Sequence, residues 1–153
     1  MKLFEQTADL SAGSSFNSDT LKNLPEKILK HTDWDYSYEH TEAGCFLKPT
    51  FRNMPYRNSF VPEIDIVVSK SDTENVLHLK GQPTKPVRIF MMFWFSFALL
   101  MEAFLLIPAI TYGGWSVPLL IPVFMCVCGY FLCQIVTKMT FNAVVKVIRK
   151  EFL

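Results

Sequence analysis

Across residues 89–137 the chain is almost free of charge: of its 29 charged side chains, only Glu102 falls there. A soluble globule of 153 residues cannot bury so long an apolar stretch, because the remaining chain supplies too little core. There is also no basic excess. The formal charge of +1 excludes a general nucleic-acid binder, which needs a concentrated cationic face. Glycine is scarce, six in all, and its one doublet, Gly113-Gly114, sits between apolar runs, where no phosphate loop belongs. A nucleophile elbow and paired metal-ligand spacings such as Cys-x-x-Cys or His-x-x-x-His are missing, so no catalytic residue, metal or cofactor is assigned. The opening MKLFEQTADL has no apolar core, which argues against a cleavable signal peptide and leaves insertion to the first apolar segment. Four cysteines make no disulfide framework: Cys45 stands alone, and Cys126, Cys128 and Cys133 lie inside an apolar run.

What is present divides into three segments: 1–86, 87–137 and 138–153. Residues 87–110 and 117–137 give helices of about 36 and 31 Å at 1.5 Å per residue, each sufficient for a hydrocarbon core of roughly 30 Å. The connection through Tyr112, the two glycines and Trp115 suits a tight reversal at a membrane interface. Lys70, Lys80, Lys85 and Arg88 precede this transmembrane hairpin; Lys138, Lys146, Arg149 and Lys150 follow it; the loop has no such residue. Positive charge near spans resists translocation, so both termini are expected in the cytoplasm. The lipid bilayer is then the first partner, with a second copy or another membrane protein as the next, and no nucleic acid.

Residues 1–86 read as a small cytoplasmic α+β domain with an antiparallel sheet of about four strands. Residues 2–10 form a candidate strand and 11–17 a linker. Leu21, Leu24, Ile28 and Leu29 recur at helical spacing, with Pro25 weakening one continuous helix or opening a second. From Asp33 to Glu39 aromatic and polar residues alternate, which places Trp34, Tyr36 and Tyr38 opposite Asp33, Asp35 and Glu39. Strands are expected over 45–51, 60–69 and 76–80, with a turn at 71–75 and a strand break from Gly81 to Pro86. The last segment, 138–153, is an amphipathic helix with Phe141, Val144, Val145, Ile148 and Phe152 in one stripe. Such a helix lies on the inner leaflet or closes over the sheet. The sheet's lack of other helical cover favours the second.

Several residues invite a functional reading. Glu102 within a span costs roughly 3 kcal/mol on insertion scales, so something normally offsets it. An even reversal at the glycines sets Glu102 level with residues 125–128 and Tyr130 within a turn of it. Its two readings are an ion- or proton-handling carboxylate and a structural carboxyl bonded to Tyr130, Ser96 or a free carbonyl. The three cysteines of the second run do not converge on one helix face, so packing outweighs metal binding. The dense titratable stretch from His31 to Cys45 is a solvated strand face rather than a ligand set. Arg52, Arg57, Asn58 and Ser59 can contact an anion such as a lipid phosphate, although Asn and Ser equally favour turn bonding. Pro108 and Pro122 are expected kinks, and Pro118 a first-turn proline.

The step Arg57-Asn58-Ser59-Phe60-Val61-Pro62, followed by an alternating strand, a turn, another strand, two apolar spans and an amphipathic tail, resembles an uncharacterised family of small two-span bacterial membrane proteins. The resemblance covers residues 44–153 in layout and implies architecture and a bacterial inner membrane; it brings no activity. The first functional expectation is a non-enzymatic, membrane-anchored interaction or sensing module. The alternatives are an oligomeric ion or proton conductor using Glu102 and an inner-leaflet enzyme.

Overall fold

The computed structural model describes residues 4–12, 18–50, 60–70, 75–113 and 120–153. Within them run β1 (Gln6–Ala12), a 3₁₀ helix (Ser18–Asn23), α1 (Leu24–His31), β2 (Asp35–Thr41), β3 (Gly44–Thr50), β4 (Glu63–Lys70), β5 (Asn75–Gln82), α2 (Lys85–Tyr112) and α3 (Leu120–Phe152). The class is α+β: a five-stranded antiparallel sheet with three α-helices, two of them long and apolar. The chain forms two compact units, Met1–Thr84 with Val136–Leu153, and Lys85–Ile135.

In the first unit the strand order is β1-β5-β4-β3-β2. The fifth strand is β1, whose only large apolar inward residue is Leu10 and which owes its state to pairing with β5 from Gln6↔Gly81 to Ala12↔Asn75. Alternation sends Leu10, Leu77, Leu79, Ile64, Ile66, Cys45, Leu47 and Tyr36 into one core. Leu21, Leu24 and Ile28 cover that face, joined by Phe141, Val144, Val147 and Ile148 of α3. The amphipathic stripe of the tail is thus spent on the sheet, and the inner-leaflet alternative does not describe these side chains.

Pro25 stands in the first turn of α1, where its missing amide costs no helical bond, so the segment splits into a 3₁₀ turn and a short helix. Thr32 ends α1: its amide and its hydroxyl both donate to the Ile28 carbonyl, at 2.8 and 2.7 Å. The expected strand break at Gly81 does not occur, since β5 continues to Gln82 with Gly81 paired to both Gln6 and Ile64. Nor is there a break at 137/138. The second apolar run and the amphipathic tail are one helix, because Lys138 changes polarity without interrupting the helical hydrogen-bond ladder.

In the second unit α2 and α3 run antiparallel. A Cβ placed on Gly129 would stand 3.3 Å from Nε1 of Trp94, and Met101 and Leu105 face the same space as Ile121 and Pro122. Two hydroxyls of α2 are satisfied within the helix: Ser96 donates to Met92 O and Thr111 to Ile107 O, both at 2.8 Å. Pro108 is inside α2, and Pro122 is the third residue of α3 as described from Leu120. The reversal at 114–116, Pro118 and most of the expected linker and turn lie outside the described residues.

Candidate functional site

The sheet has one helix-covered face and one open face, and the strand register assembles the open face in rows. One row runs Glu39, Phe46, Asp65, Lys80, Thr7; the next runs Thr41, Gly44, Val67, His78, Asp9. On this face His78 Nδ1 meets Asp9 Oδ1 at 2.7 Å, and Lys80 Nζ meets Glu5 Oε1 at 3.2 Å. Ser37 donates to the Lys48 carbonyl at 3.1 Å. The result is a surface of alternating charge with half-buried Phe46 and Val67 between. The Asp9–His78 pair joins residues 69 positions apart, so sequence reading missed it, although the alternation in Val-Leu-His-Leu-Lys already put His78 and Lys80 together on the polar side.

Arg52, Arg57, Asn58 and Ser59 lie outside the described residues. The end of their motif does not. Val61 is fully buried in the core, and the Pro62 carbonyl accepts a hydrogen bond from the buried Tyr36 hydroxyl at 3.2 Å. Burial drives the Tyr36 hydroxyl well above its ordinary value, which keeps it a donor to that carbonyl. Cys45 is fully buried opposite Ile66, and burial, with the Asp65 carboxylate as a lesser cause, pushes its thiol up to about 12. It is a core residue, not a nucleophile.

On the helical side, Glu151 accepts from Lys27 Nζ at 2.9 Å and from His31 Nε2 at 3.0 Å. These hydrogen bonds, from Lys27 first, hold its carboxyl below the usual carboxylate range. Lys27 also stands 4.6 Å above the Phe152 ring.

In the second unit the inter-helix register puts Glu102 nearest the depth of Ile121 and Pro122, about a turn closer to the start of α3 than an even reversal at the glycines gives. Tyr130 then lies several residues away along the axis and packs edge-on against Phe131 at 5.7 Å. Oε2 of Glu102 is buried and has no hydrogen-bond partner, while Ser96, considered as a partner, donates to its own helix. Between the helices is a wholly apolar cavity of about 190 Å³ bounded by Trp94, Ala98, Met101, Leu105, Pro122 and Met125. Cys126, Cys128 and Cys133 form no disulfide among the described residues and differ in exposure along α3, and among the described residues no group of three His, Cys, Asp or Glu could hold a metal ion.

Compared with protein-family models, curated proteins and solved structures, the chain matches none.

Proposed function

We propose that the protein is a non-enzymatic, membrane-anchored interaction or sensing module. In this reading α2 and the apolar part of α3 cross a bacterial inner membrane, both termini are cytoplasmic, and the open sheet face meets a partner. The observation that carries it is outward apolar surface. Ile89, Phe93, Leu99, Phe104 and Phe124 are each between 64% and 69% exposed. Only 11% and 17% of the most apolar windows of α2 and α3 are buried, the reverse of a core helix in a soluble protein. Lipid is the solvent that removes this cost, and the internally bonded hydroxyls of Ser96 and Thr111 suit it. Flanking Lys and Arg support the orientation, and the resemblance to small two-span proteins supports the layout. The open face, with charges of both signs around Phe46 and Val67, has the mixed character of a non-obligate interface. Copurification from membranes in mild detergent tests the reading. A defined partner lost on charge reversal at Lys48 and Glu39 is expected; a partner-free protein with robust hydrolytic activity would overturn it.

The buried, unpartnered Oε2 of Glu102 favours a second reading, an oligomer that conducts ions or protons through that carboxyl. One hairpin encloses no pore, so assembly is required. Ion flux in liposomes should then fall in Glu102→Gln; equal flux, or none in either protein, rejects it.

A further inference from the structure

The end of α1 and the last turns of α3 bound a cleft of about 370 Å³. Ala143, Lys146, Val147 and Lys150 line it from α3, and His31 and Thr32 from α1. The α3 residues share one helix face because their spacing is i, i+3, i+4 and i+7. The neighbouring walls are fixed: Glu151 holds both Lys27 and His31, and Lys27 caps the Phe152 ring. Thr32 is committed to the Ile28 carbonyl. Lys146 and Lys150 are not committed. Among the described residues neither has a carboxylate partner, although they stand one helical turn apart and repel each other.

The charge is concentrated here. Residues 24–31 carry a net +1 and residues 138–152 a net +3 with His31 neutral, against +1 for the whole chain, so the rest of the protein is net negative. We propose that this cleft binds a phosphate-type oxyanion, a phosphomonoester either free or as the headgroup of an anionic lipid. Two ammonium groups a turn apart suit a compact tetrahedral anion better than a planar carboxylate, which favours a guanidinium fork. The bound anion relieves the repulsion between Lys146 and Lys150. Ala143 and Val147 supply the apolar part of the lining. The assignment does not depend on the chain spanning a membrane.

The test uses the full chain. In neutral detergent it is titrated by calorimetry with inorganic phosphate. In phosphatidylcholine nanodiscs containing phosphatidic acid or phosphatidylserine, lipid retention is read by native mass spectrometry. Lys146→Gln/Lys150→Gln should weaken binding about tenfold or more, as expected for losing charge-assisted hydrogen bonds. The charge-matched Lys22→Gln/Lys30→Gln, at exposed positions outside the cleft lining, should not. Saturable phosphate binding identifies a free anion; selective retention of phosphatidic acid without phosphate binding identifies the headgroup. Equal behaviour of the two double variants, or no saturable binding in either arm, would overturn the assignment.

Discussion

The ring of Phe141 occupies the space that a side chain at position 81 would need: a Cβ built on Gly81 overlaps it. Phe141 is 2% exposed, and Gly81 sits inside β5 with strands on both sides. Glycine weakens a strand interior, so its presence there reflects close approach of another element. The residue that sequence reading takes as a strand breaker is the seat on which α3 closes over the sheet.

Gly81→Ala is therefore expected to destabilise the first unit by about 1–3 kcal/mol through overpacking. Phe141→Leu in the same chain should recover part of that loss. Thermal unfolding of the four proteins in detergent checks it: a coupling of at least about 0.5 kcal/mol is expected between contacting residues, and strict additivity would refute the contact.

Cys45 predicts an alkaline limb. Its folded value, about 12, lies above the ordinary 9.0. The buried thiol therefore contributes stability that is full below pH 9.0 and is lost as pH rises toward about 12, at up to roughly 1.4 kcal/mol per pH unit. Tyr36, also raised, adds to the fall above its ordinary 10.0. Cys45→Ala should flatten the slope of melting temperature against pH from 9 upward; an unchanged slope would remove Cys45 as its cause.

The same burial disqualifies Cys45 as a reporter of sidedness, because it reacts poorly from either compartment. With all four cysteines replaced, single cysteines at Ser116 and Lys48 should be compared on intact cells with a membrane-impermeant thiol reagent. Labelling at 116 and protection at 48 is the expected pattern. The reverse would invert the proposed orientation.

Much of the first unit is legible because its burial follows local periodicity. Tyr36 inward beside Asp35 and Ser37, Ile64 and Ile66 around Asp65, and Leu77 and Leu79 around His78 all follow from alternation. The tail stripe reads equally well, since Phe141, Val144 and Ile148 recur at helical spacing. What stayed hidden depends on partners distant in sequence. The bounds of β1 are one case: expected over 2–10, it runs Gln6–Ala12, where pairing with β5 sets its ends. Val147 completes the core although it falls beside the stripe rather than in it. The Asp9–His78 contact and the His31–Lys146–Lys150 cleft needed the fold, because no spacing rule joins residues across 69 or 115 positions.

Glu151 gives a contrasting expectation. Its lowered carboxyl contributes stability above its ordinary 4.5 that is lost as pH falls through the folded value. Being exposed, the Lys27–Glu151–His31 cluster is screened, so Glu151→Gln should shift the melting temperature far less than Gly81→Ala. Its effect should shrink further in high salt. A larger shift than that of Gly81→Ala, or one insensitive to salt, would contradict this.

The closure of Phe141 on Gly81 also orders the protein's birth. Sixty residues separate the two, and α2 with the apolar part of α3 emerges from the ribosome between them. When β5 has been made, Leu77, Leu79, Ile64 and Ile66 are still without Phe141, Val144 and Ile148, which follow later. Until Ile148 has left the exit tunnel, the nascent sheet keeps an uncovered oily flank. Synthesis must therefore pass through a state that invites a chaperone's grip, and a stalled or truncated chain would remain in it.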